Sequence, residues 1–72
     1  MIKNNQKEYC ANNLSRIVIN KICEENPDIR RSKLISDFMD SKTYDLLYDF
    51  KTGLWAEGPG YIYYMYKEET KK

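Results

Sequence analysis

The side chains in this sequence that could do chemistry are two thiols, four aspartates between positions 37 and 49, and a dense run of aromatic rings. Cys10 and Cys23 are the only cysteines, and there is no histidine. Neither a Ser-His-Asp nor a Cys-His mechanism can be assembled from this chain alone, and a thiolate would need a helix N-terminus or a neighbouring lysine to activate it. Two thiols also fall short of the four nitrogen or sulfur ligands that a structural zinc site normally takes. No metal and no cofactor is therefore expected. Asp37 with Asp40, and Asp45 with Asp49, stand at helical i+3 and i+4 spacing. Paired-carboxylate catalysis needs a sheltered cleft that separates two pKa values. These four alternate with apolar positions, as a solvated face does. Gly53, Gly58 and Gly60 match neither G-x-x-x-x-G-K nor G-x-G-x-x-G and read as turn residues. The expectation is a chain that is not an enzyme.

Trp55, Tyr61, Tyr63, Tyr64 and Tyr66 fall within twelve residues. Each joins a large apolar body to a polar tip, the combination enriched at protein interfaces and their hot spots. A domain of this size cannot bury all of them, so a core shared with a partner surface is the expectation. The partner-contact candidates are Trp55, Tyr63, Tyr64 and Tyr66, together with an Ile19/Cys23 ridge on the first helix. Stacking of bases on these rings would want basic neighbours, and Glu57, Glu68 and Glu69 argue against it. The alternative is a small DNA-binding regulator with a helix-turn-helix-like region at 27–49. Its phosphate contacts would be Arg30, Arg31, Lys33 and Lys42. A reading helix over Lys42–Asp49 would turn Asp45 and Asp49 towards phosphates, which disfavours it.

These side chains have to be positioned by helices. From Lys7 to Glu25 the apolar residues Cys10, Ala11, Leu14, Ile17, Val18 and Ile22 span about 140° of a helical wheel, the width of a core-facing stripe. Ile19 and Cys23 lie off that stripe, either under the chain's other end or against another chain. Cys10 and Cys23 are about 20 Å apart on one helix at 1.5 Å per residue, too far to bridge. Asn26-Pro27-Asp28 ends the helix. Either Asn26 or Ser32 can cap a second one, which buries Leu34, Ile35, Phe38 and Met39. Ser41 then breaks the chain and caps a third helix from Lys42, carrying Tyr44, Leu47 and Tyr48. Asp49 to Gly53 has the aspartate and glycine of a tight turn, followed by an extended Leu54–Glu57.

Residues 61–66 carry β propensity, yet Pro59 at a first helical position and the charged tail favour a helix. Tyr61, Ile62, Met65 and Tyr66 would then face the core, with Tyr63 and Tyr64 outside. The fold expected is a mainly α, single-domain bundle of three to four helices with a turn-rich loop before the last element. The alternative is an α+β chain with a C-terminal hairpin.

Length and charge set outer limits. A chain of 72 residues holds one domain at most and buries only about 60% of its unfolded surface. Residues 1–5 and 68–72 are expected to fray. Twelve basic residues against eleven acidic ones leave a net charge of +1, without the basic excess typical of nucleic-acid binders. Nucleic acid is therefore not the expected partner. No apolar leader region and no run approaching about 18 apolar residues is present, so no membrane association and a cytoplasmic location are expected.

The run from Ser41 to Asp49 (SKTYDLLYD), continued by Thr52-Gly53-Leu54-Trp55, Glu57-Gly58-Pro59 and Tyr61-Ile62, resembles a family of small proteins from gut-type Firmicutes. That family carries the pattern SKTxxLLYD…TGLWxEGPxYI. The likeness covers about 22 residues of the second half, with none over Lys3–Asp28. Members are associated with gene neighbourhoods that encode ADP-ribosyltransferase-like toxins. The resemblance implies a small antitoxin-like partner protein that binds a toxin or pairs with itself as a homodimer. No functional residues are defined for the family, so it assigns none here.

Overall fold

The computed structural model describes residues 4–71, and all of its regular structure is helical. Four α-helices follow in order: α1 (Asn4–Glu25), α2 (Arg31–Met39), α3 (Lys42–Leu47) and α4 (Pro59–Thr70). Two 3-10 turns, Phe50–Thr52 and Leu54–Ala56, join α3 to α4. No strand occurs among the described residues, so the mainly α reading holds and the C-terminal hairpin does not form. Gly58 in extended conformation leads into Pro59 at the first turn of α4, where a fixed φ suits the helix and a missing N–H costs nothing.

Ten of the described residues make up the core: Ala11, Leu14, Val18 and Ile22 of α1, Leu34 and Phe38 of α2, Leu47, Leu54, and Ile62 and Tyr66 of α4. Phe38 sits at its centre with no exposure, its ring edge-on to Tyr66 at 5.1 Å and to Tyr44 at 5.7 Å. Full burial of each such side chain contributes about 1.5–3 kcal/mol.

The buried face of α1 is rotated from the one the periodicity indicates. Ser15 is buried and Ile19 half-buried, while Cys10 is only half-buried and Ile17 is 42% exposed. The neighbours explain the shift. Tyr48, at the end of α3, reaches over one flank of α1 with its hydroxyl on Ser15 and Asn12. On the other flank α4 runs alongside, Lys21 over the Tyr63 ring and Glu25 paired with Lys67. Polar Ser15 is admitted because Tyr48 satisfies it.

Other local expectations are corrected. Neither Asn26 nor Ser32 caps α2: Arg30 is its N-cap, without a side-chain bond. Asn26 instead closes α1, its amide donating to the Ile22 carbonyl at 2.8 Å. Met39, expected in the core, is 49% exposed, and Tyr61 is 52% exposed. Leu54–Glu57 is not extended, because the second 3-10 turn bends the chain and buries Leu54. Ser41 does cap α3, accepting from the Tyr44 N–H, and Asp49 accepts from Lys51 N–H ahead of Gly53 at φ 77°. Asn4 and Asn5 belong to α1, and α4 continues through Thr70. Residues 1–3 and 72 lie outside the described residues.

Candidate functional site

The end of α4 is tied to the start of α3 by one carboxylate. Glu69 accepts from the backbone N–H of Lys42 at 2.7 Å and of Thr43 at 2.8 Å, and from the Thr43 hydroxyl at 2.7 Å. An anion at a helix N-terminus satisfies amides that have no partner within the helix. Partial burial pushes the Glu69 carboxyl upward, but these bonds outweigh it and hold the group below its ordinary value.

Beyond this tie α3 and α4 leave a groove of ≈ 420 Å³. Leu46, Thr43, Met65 and Tyr64 line it, with Lys42, Glu68 and Glu69 at the tied end. Tyr64 is 60% exposed, the most open ring on α4. Tyr61, three residues earlier on the same outer face, extends the aromatic surface past the groove. Two exposed tyrosines beside an apolar, methionine-bearing groove form a surface able to adapt to another apolar side.

The expected contact residues do not gather on that surface. Tyr64 alone among them lines the groove. Tyr66 is a correction: at 8% exposure it belongs to the core, because the turn of α4 that carries Ile62 inward carries it too. Tyr63 is half-buried on the α1 side, with the ammonium groups of Lys21 at 5.4 Å and Lys67 at 5.8 Å from the centre of its ring. A hydrogen bond to the Glu25 carboxylate, burial and that carboxylate's charge push the Tyr63 hydroxyl up to about 12. Trp55 is half-buried, donating from Nε1 to the Phe50 carbonyl at 3.2 Å, with Lys7 over its ring. Ile19 and Cys23 are half-buried and packed against the core. The sequence reading missed Tyr61, which its assumed wheel turned inward, and Glu69, whose partners lie 26 and 27 residues away.

Of the basic residues of the alternative reading, Arg30, Arg31 and Lys33 lie together at the start of α2. Arg31 donates to Asn20 Oδ1, Lys33 pairs with Asp37, and Lys42 stands at the start of α3, beyond the whole of α2. With Thr43 and Leu47 buried, α3 is only six residues long. Of the acidic pairs, Asp37 lies in α2 and Asp40 at its C-cap, Asp45 lies in α3 and Asp49 past it, and all four are exposed. Among the described residues no group of three or more His, Cys, Asp or Glu side chains is placed to hold a metal ion. No helix of the described residues is long and apolar enough to cross a membrane. Comparison with protein-family models, curated proteins and solved structures returns no match for this chain.

Proposed function

We propose that this chain is a small protein-interaction module that docks another protein against the α3–α4 groove. The observation that carries the reading is the exposed Tyr64 beside the apolar walls of Leu46 and Met65. A helix laid in such a groove would be held by a few apolar anchors, the helix-in-groove mode of recognition. The resemblance to small Firmicutes proteins encoded near ADP-ribosyltransferase-like toxins supports an antitoxin-like role, with the toxin as the partner. A homodimer through the same face is the other form of this reading.

The test is co-expression with an ADP-ribosyltransferase-like toxin of the kind encoded near the resembled family, and measurement of their affinity by calorimetry. The Tyr64→Ala variant is expected to bind at least about tenfold more weakly while melting at an unchanged temperature, as for an exposed hot-spot tyrosine. Sedimentation of the chain alone reads the homodimer. A monomer that also fails to bind the toxin-like protein would sink the proposal, as would a Tyr64→Ala variant that binds like the wild type.

A further inference from the structure

A second opening lies away from the groove, where the C-terminal ends of α1 and α4 meet the middle of α2. It is a cleft of ≈ 250 Å³ whose polar lining comes from Glu25, Asn26, Asp37, Tyr66, Lys67 and Thr70. Tyr66 is more than nine-tenths buried, its ring packed on Phe38, and it is one of the residues that line the cleft. Its hydroxyl has no hydrogen-bond partner among the described residues, although no polar side-chain atom is sealed in the core without one. A buried side chain has thus been left with an open polar tip at a polar wall.

The remaining lining supplies acceptors. Asn26 uses its NH₂ on the Ile22 carbonyl, which leaves Oδ1 to accept. Thr70 gives its hydroxyl proton to the Lys67 carbonyl, which leaves oxygen lone pairs. Glu25 and Asp37 are carboxylates, and each meets a lysine, Lys67 at 3.4 Å and Lys33 at 3.3 Å. Both pairs are solvent-exposed, so they are weak and open to exchange. Two helix C-termini add about −0.5 elementary charge each. Among the described residues the charge balance of the lining is negative, and Lys67 is its one cationic donor.

We infer that this cleft binds a guanidinium or other multi-donor organic cation, which the Tyr66 hydroxyl and the Asp37 carboxylate hold. A planar guanidinium carries five N–H donors and no acceptor, the complement of an acceptor-rich wall. A neutral tyrosine hydroxyl keeps oxygen lone pairs that can accept, and burial, with Asp37 and Glu69 adding to it, raises Tyr66 from its ordinary value. The same chemistry could arrive as a free small cation or as an arginine side chain on a partner chain.

Titration of the full chain with methylguanidinium, followed by backbone amide shifts, tests the inference. Saturable shifts at Asp37, Tyr66 and Thr70 are expected, and none with tetramethylammonium, which has charge but no donors. Asp37→Asn should weaken binding by about tenfold, the loss of a charge-assisted bond, and Tyr66→Phe by about threefold at unchanged melting temperature. A capped peptide with one central arginine separates the sources: binding about tenfold tighter than methylguanidinium assigns the cation to a partner chain, and equal binding assigns a free cation. Linear shifts without saturation, an equal response to tetramethylammonium, or unchanged affinity in both variants overturns the site.

Discussion

Individual tyrosines in this molecule have different work to do, set by what surrounds each hydroxyl. Tyr44 is pushed upward chiefly by burial, Tyr66 by burial and two carboxylates, and Tyr63 chiefly by its bond to Glu25. The same bond lowers Glu25, with Lys67 and Lys21 adding to it. Because ionising Tyr63 would place a phenolate against that carboxylate, absorbance at alkaline pH should show a late tyrosine component near 12. Tyr63→Phe is expected to remove that component and leave the earlier ones. The sign follows from linkage: a hydroxyl whose folded value is raised stabilises the fold below its unfolded value of about 10, and that contribution is lost as pH rises towards 12. An ultraviolet titration in which the late component survives the substitution would contradict the assignment.

At the level of elements, the most consequential join is the Glu69 carboxylate on α3. The helix has six residues and buries Thr43 and Leu47, so by itself it is too short to persist in water. Ser41 caps it locally, while Glu69 takes Lys42 N–H and both donors of Thr43 across the groove. A carboxyl held below its ordinary value of 4.5 stabilises the fold above the unfolded value and loses that contribution as pH falls through the folded one. Stability of the wild type should therefore drop below about pH 4.5 more steeply than that of Glu69→Gln. At neutral pH the variant should be less stable by about 1 kcal/mol, the typical worth of such bonds at a partly exposed end. Urea unfolding at pH 3 and pH 7 checks both statements. Convergence of the two proteins at low pH is the expected pattern, and parallel loss in both would remove Glu69 from the explanation.

Across the whole molecule, one core joins every α-helix. The chain measures 43 × 21 × 19 Å with a radius of gyration of 12.2 Å, against about 11 Å for an average compact chain of this length. The excess follows α1, whose 22 residues run about 33 Å at 1.5 Å per residue. A single shared core predicts one cooperative transition on heating. Phe38→Ala should cost about 3–5 kcal/mol, because the ring has no exposure and contacts both Tyr44 and Tyr66. That is much of the 5–15 kcal/mol available to an ordinary domain, and a small chain has less in reserve. Calorimetry of the variant is expected to show a large fall in melting temperature or no transition. A shift of only a few degrees would mean that the core is not centred on Phe38.

Much of the element plan is written locally. Ser41 with its cap, Asp49 and Gly53 with their turn, and Pro59 at the head of the last helix each act within a few residues, so their effects could be read without knowing the fold. The helical state of residues 61–66 followed from the same proline against the β propensity of the rings. Which face each helix buries was decided elsewhere. Apolar spacing fixes a stripe to within a few tens of degrees, and the neighbours choose inside that range: Tyr48 drew Ser15 inward and left Ile17 out. The short helices give still less information, and so Met39 and Tyr61 came to the surface. The Glu69 tie, the groove beneath Tyr64 and the cleft at Tyr66 join residues distant in sequence. No local pattern encodes such meetings, because packing alone brings their partners together. The sequence by itself therefore determined an aromatic-rich helical chain with its breaks and caps, and tertiary structure decided which rings form the core and which are left at the surface.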